Sequence, residues 1–316
     1  MKIKEYEYAE DLVNMVIERN APACVLVSEG GLGKSYLVKT QCEEKCNDYE
    51  YFSGYMTPKQ LYFYLLNNSD KIIVLDDIED LLKNNKAVGI LKGALWAVKG
   101  KSIVSYATTE RDGSSSHHEF EFTGGIIVLL NKIPREKNQI VSALISRCLK
   151  YTIKLTYRQK LNIMKQIMRE DSFYHLINCE VSSEDRERLI KDLIENSSPA
   201  MINFNFRTME MMVRFYVYNK KEHPDQPNRH IDLYNQTNQK DVEKELVYKL
   251  IKSGLPVISQ AEEFTEKTGK SRATFYRIKK EIVNDEKTDK LLERVSKSHR
   301  KNCEIMRHID RSFGVL

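Results

Sequence analysis

The chemistry in this chain concentrates in one short stretch, Ser28-Glu29-Gly30-Gly31-Leu32-Gly33-Lys34-Ser35. An apolar run from Ala23 to Val27 precedes it and reads as a buried strand, and Ser35 to Cys46 read as a helix. Strand, glycine-rich turn and helix, in that order, form the context a phosphate-binding loop requires. The glycines let consecutive backbone N–H groups curl round a phosphate without Cβ clashes. The helix behind them turns its positive end toward the same anion. Glu29, Gly30, Gly31, Leu32, Gly33, Lys34, Ser35 and Tyr36 are therefore expected to line the phosphates of ATP, with Lys34 reaching the β- and γ-phosphates and the Ser35 hydroxyl ligating Mg²⁺. The usual pattern begins with glycine where this chain has Ser28, a small change that leaves the inner glycines in place.

A second acidic element follows at Lys71-Ile72-Ile73-Val74-Leu75-Asp76-Asp77. Four apolar residues followed by two acids read as a buried strand delivering carboxylates from its end. Asp76 is expected to hold Mg²⁺ through water, opposite Ser35, and Asp77 to orient and deprotonate an attacking water, with Glu79 as the reserve base. A third apolar strand, Gly125 to Leu130, ends in Asn131, whose amide can hydrogen-bond a γ-phosphate or that water. Arg147 lies just before a further strand, Tyr151 to Leu155. In a lone subunit it would point away from its own phosphates, and in a ring it would point at a neighbour's.

The elements between these strands are read from periodicity and caps. Helices are expected over Tyr8–Arg19, Thr57–Asn68 (Thr57 as cap, Pro58 at the first helical position), Ala87–Val98 and Ile140–Leu149, with a strand at Tyr49–Ser53. Ser102–Tyr106 and His118–Phe122 are expected to pair across Asp112-Gly113 as an addition to the parallel sheet. His117 and His118 fall on opposite faces of that strand and do not make a metal pair. The six cysteines are scattered without zinc-site spacing, no apolar run reaches membrane-spanning length, and the N-terminus has no secretory h-region. These features point to reduced thiols and a cytoplasmic protein, in a host cytoplasm if phage-encoded.

The order of phosphate loop, Asp-Asp strand, Asn-ended strand and Ser146-Arg147 before the last core strand resembles an AAA+ ATPase. The run around Leu61-Tyr62, Lys71–Asp77 and Val88–Leu95 is most similar to AAA+ ATPases of tailed bacteriophages and mobile elements. The resemblance implies an α/β nucleotide-binding domain over residues 1–155 and a helical lid over 156–222. Asn131 would be the first sensor, Arg147 an arginine finger, and Arg207 a second sensor touching the γ-phosphate. It also implies a ring, hexamer-like, with ATP and Mg²⁺ between subunits.

Residues 223–240 are polar and proline-containing and read as a linker. Beyond it, Asp241–Ser253, Ile258–Thr268 and Ser271–Val283 read as helices, the last two joined through Gly269 at helix-turn-helix spacing. Residues 241–316 are thus expected to form a winged-helix-like DNA-binding domain, with Arg272, Thr274, Arg277 and Lys280 facing outward toward DNA. The charge supports an anionic partner. The whole chain is +5, and residues 241–316 alone hold 17 Lys and Arg against 13 Asp and Glu, which is +4. A basic tail helix is expected over Lys290–Ser312. Two function classes follow: an ATPase acting on DNA in replication or recombination, and a protein-remodelling ATPase whose C-terminal bundle grips a protein client.

Overall fold

The computed structural model describes residues 4–46, 48–95, 97–98, 101–109, 115–134, 138–238 and 240–285. The chain divides into two compact units, Met1–Lys154 and Leu155–Leu316.

The first unit begins with α1 (Lys4–Ile17), β1 (Ala23–Val27), α2 (Lys34–Lys45), β2 (Tyr49–Ser53), α3 (Pro58–Asn67) and β3 (Ile72–Asp76). It continues with α4 (Glu79–Leu82), α5 (Asn85–Ala94), β4 (Ala97–Val98), β5 (Lys101–Thr109), β6 (Ser115–Phe122), β7 (Gly125–Leu130), α6 (Gln139–Ile145) and β8 (Leu149–Thr152). Five strands form a parallel sheet in the order β2-β3-β7-β1-β8. Every residue of β1, β3 and β7 is buried, which is why their sequences run apolar without alternation. Entry to β7 needs glycine, because a Cβ on Gly124 would stand 2.3 Å from the carbonyl of Lys71. Thr57 caps α3 in a reciprocal capping box with Gln60, as the Thr-Pro start predicts.

Some boundaries differ from the sequence expectation. α5 stops at Ala94, and the backbone of 97–98, expected to be helical, pairs with Ser102 and Lys101 instead. β5 and β6 do form an antiparallel pair, but with β4 they make a separate three-stranded sheet rather than extending the parallel one. The Asp112-Gly113 turn lies outside the described residues. α6 ends at Ile145, and β8 begins at Leu149, two residues before the expected Tyr151, because it pairs with β1 from Cys24 onward.

The second unit is helical: α7 (Tyr157–Ile167), α8 (Asp171–Leu176), α9 (Ser183–Asn196), α10 (Phe206–Glu222), α11 (Arg229–Thr237), α12 (Val242–Lys252), α13 (Val257–Thr268) and α14 (272–285). Thr156 and Asn205 cap α7 and α10 in capping boxes. The segment read as a linker contains α11. His230 and Tyr234, one helical turn apart, are both fully buried. His230 Nε2 meets Asp192 Oδ2 at 2.9 Å, and its Nδ1 meets the Pro227 carbonyl at 3.1 Å. A polar residue with both nitrogens satisfied can be interior, so the polarity that suggested a linker belongs to a packed helix. α12, α13 and α14 share a small core of Val247, Leu250, Ala261, Phe264, Phe275, Ile278 and Ile282. The expected tail helix Lys290–Ser312 lies outside the described residues.

Candidate functional site

The site forms where β1, β7 and β3 end side by side. Each strand delivers one polar segment at its C-terminal edge: the glycine-rich loop after β1, Asp76 and Asp77 from β3, and Asn131 after β7. The sheet order puts β7 between β1 and β3, so Asn131 stands between the loop lysine and the acids.

Gly31 and Gly33 adopt φ of 76° and 77°, the left-handed region that a side chain disfavours. Lys34 is nearly buried, and its ammonium donates to the Ser28 carbonyl at 2.9 Å, Ser28 Oγ at 3.0 Å and Asn131 Oδ1 at 3.2 Å. Serine in place of the usual first glycine therefore contributes a ligand to the lysine. It carries no backbone strain, since Ser28 is not among the positive-φ residues. Tyr36 is exposed on the first turn of α2, and Leu32 is buried. The Leu32 carbonyl accepts a hydrogen bond from Tyr6 on α1 at 2.8 Å, a tie that joins the loop to the N-terminal helix.

On the acidic side, Ser35 Oγ donates to Asp76 Oδ2 at 2.6 Å, and the Tyr51 hydroxyl donates to the same oxygen. Burial, and then the contact with Asp76, push the Tyr51 phenol above its ordinary value, so it stays protonated at neutral pH. Asp77 is one of three non-glycine residues with positive φ among the described residues, at 53°. Aspartate tolerates that region better than most residues, and two contacts hold it there. Its N–H donates to the Leu129 carbonyl at 3.3 Å, and its Oδ1 accepts from Asn131 Nδ2 at 3.0 Å. Glu79 is differently engaged: its Oε1 accepts the Asn131 backbone N–H at 2.7 Å.

These residues fit a nucleoside triphosphate with its cation. A cradle of N–H groups with a lysine beside it suits a polyphosphate, and a hydroxyl paired with a carboxylate supplies the hard oxygen donors Mg²⁺ takes. With the hydroxyl as a direct donor and the carboxylate reaching the cation through water, further waters and phosphate oxygens would complete the shell, as is usual for Mg²⁺. Among the described residues no group of three or more His, Cys, Asp or Glu side chains could hold a metal.

Lys34, Ser35, Asp76, Asp77 and Asn131 thus meet in one place. Arg147 does not join them. It follows α6, where its Nη1 donates to the Ala143 carbonyl. In the parallel register Cys24 pairs with Leu149, so Arg147 lies at the N-terminal edge of the sheet while the loop leaves the C-terminal edge after Val27. That separation is about 17 Å at ~3.3 Å per residue. Arg207 is exposed on the first turn of α10 in the second unit. In the C-terminal helices, Gly269 ends α13 at φ 70°, and Phe275, Ile278 and Ile282 turn inward. Arg272, Arg277 and Lys280 are exposed and Thr274 is half-buried; Arg272 also pairs with Glu262 at 2.9 Å.

Tyr51 carries no sequence signal for the site, and nothing in the sequence marks Tyr6 as a tie to the Leu32 carbonyl. A tyrosine in a short strand and one in an N-terminal helix become neighbours of the loop only through strand pairing and helix packing.

No protein-family profile and no curated protein matches the chain. Among solved structures it is similar to the RuvB Holliday junction branch migration motor of Thermotoga maritima, at 12% identity and TM-score 0.45, over 85% of this chain and 86% of that one. A point mutant of the same RuvB gives 15% identity and TM-score 0.44, over 85% and 84%. NtrX from Brucella abortus, in complex with ATP, gives 14% and 0.45, over 89% of this chain and 68% of that one. Similarity this remote carries over no activity. Among the described residues no helix is long and apolar enough to cross a membrane.

Proposed function

We propose that this chain is an AAA+-type ATPase that hydrolyses ATP between subunits of a ring and couples hydrolysis to work on DNA. The observation that carries the reading is the continuous network Lys34–Asn131–Asp77 beside Ser35–Asp76, assembled from three separate strand ends. In this reading the loop 29–36 and Lys34 bind the phosphates, and Ser35 and Asp76 hold Mg²⁺. The cation, when bound, neutralises charge on the phosphate oxygens. Asp77 takes the proton of the attacking water, and Asn131 fixes Asp77 and Lys34 relative to each other. Asp77 is taken as the base and Glu79 as the reserve; Asn131 holds the first through its amide and the second through its backbone N–H. Arg147, at the far edge of its own sheet, suits action in trans on a neighbour's nucleotide. Fingers of this kind are worth about 10³–10⁵ in rate. Arg207 is assigned to sensing the γ-phosphate from the lid. Arg272, Thr274, Arg277 and Lys280 are assigned to DNA, supported by the inward turn of Phe275 and Ile278 on the same helix.

The test is the ATPase rate per subunit against protein concentration, with and without duplex and single-stranded DNA, for wild type, Lys34→Ala and Arg147→Ala. A rate that rises with concentration and DNA and is lost in both variants supports the reading. Normal hydrolysis by Arg147→Ala refutes the trans finger. Indifference to DNA shifts the C-terminal helices to a protein client.

A further inference from the structure

Asp76 Oδ2 accepts from two hydroxyls, Ser35 and Tyr51. A carboxylate has about four lone-pair sites on its two oxygens, so two donors saturate Oδ2. The contact follows from strand register. On β2 Tyr51 pairs with Val74 and Ser53 pairs with Asp76, so Tyr51 is the diagonal neighbour of Asp76 on the same face of the sheet. Lys39 Nζ, on α2, lies over its ring, 4.2 Å from the centroid. α2 begins with Lys34 and Ser35, so one helix carries both the loop residues and the clamp on the tyrosine.

We propose that Tyr51 is a positioning residue for the divalent cation. Together with Ser35 it occupies Asp76 Oδ2 and so turns Oδ1 toward the water bound to the metal. The proposal rests on the reading of Ser35 and Asp76 as the metal side of the site. The Tyr51 hydroxyl is the donor in this contact, and Asp76 Oδ2 the acceptor. Phenylalanine at this position keeps the ring and its packing and removes only the hydrogen bond.

The experiment measures metal binding directly. Mn²⁺ is titrated into the full chain with saturating ADP, and the protein-bound complex is followed by electron paramagnetic resonance in wild type and Tyr51→Phe. Outer-shell partners of metal ligands are typically worth about 10–100-fold in metal affinity. The expected result is Mn²⁺ binding weakened about tenfold, with ADP affinity in EDTA unchanged. Asp76→Ala, which removes the acceptor, closes a double-mutant cycle in which Tyr51→Phe should add nothing. Lys39→Ala, which frees the ring but leaves the hydroxyl, should weaken Mn²⁺ in the same direction by a smaller factor. Unchanged or tighter Mn²⁺ binding in Tyr51→Phe overturns the inference, as do additive effects in the cycle. If wild type binds ADP in EDTA and only the tyrosine effect is missing, this inference alone falls. If wild type binds no ADP at all, the nucleotide reading falls with it.

Discussion

Replacing Asn131 by alanine separates catalysis from binding at this site. The amide makes two side-chain contacts: Oδ1 accepts from Lys34 at 3.2 Å, and Nδ2 donates to Asp77 at 3.0 Å. Lys34 keeps its two bonds to Ser28 when the amide goes, so it stays in place. Asp77 loses the side-chain partner that orients its carboxylate. A hydrogen bond to a charged group is worth about 1.5–3 kcal/mol, which corresponds to about 10- to 150-fold in rate at 1.36 kcal/mol per decade. Asn131 is exposed, and water can replace part of the lost contact, so the expected loss is about 10- to 30-fold in single-turnover ATP hydrolysis. Nucleotide binding, measured separately, should change by less than about threefold, equivalent to under ~0.7 kcal/mol. Asn131→Asp is the companion variant. It removes the amide donor to Asp77 and sets a second carboxylate in its place, so hydrolysis should fall at least as far as in the alanine variant. Hydrolysis by Asn131→Ala within about threefold of wild type (~0.7 kcal/mol) would refute the role of the amide. Loss of nucleotide binding would refute the claim that Ser28 suffices to hold Lys34.

Two further outcomes concern the second unit. Phe275 is fully buried and packs 5.7 Å, centroid to centroid, from Phe264, so Phe275→Ala should cost about 3–5 kcal/mol in urea unfolding of the C-terminal helices; a loss under ~1 kcal/mol would mean that core is not cooperative. Asp185 is a pH probe: burial alone would raise its pKa, but hydrogen bonds from Lys220, Tyr216 and Ser182 override it and bring the carboxyl down to about 2. A depressed folded pKa gives stability that is full above the unfolded value near ~3.9 and is lost as pH falls toward the folded one. Urea midpoints of wild type and Asp185→Asn should therefore converge as pH drops from about 5 to 2, and parallel curves would show that the cluster contributes nothing.

The legible parts of this molecule were those in which one short segment carries its own physical reason. β1, β3 and β7 are buried on both faces and read as apolar runs, and Ser28–Ser35, Asp76-Asp77 and Asn131 sit at their ends because the sequence stops being apolar there. The cap at Thr57 is likewise local, a side chain meeting a backbone group three residues on. Other features depended on residues far apart. The polarity of 223–240 concealed α11, because His230 is buried only through Asp192, 38 residues earlier in the chain. α5 gave up its last expected turn to strand pairing with β5.

The site divides along the same line. Sequence determined which residue types stand at each strand end, since a buried strand must hand over to a polar loop somewhere. It could not determine which strand ends are neighbours. Tertiary structure placed β7 between β1 and β3, and only that order lets the Asn131 amide touch Lys34 and Asp77 together. It also brought Tyr51 diagonally onto Asp76 through the pairing of β2 with β3. Hydrogen bonds act over about 3 Å, and contacts that short between residues tens of positions apart exist only after the sheet has chosen its order.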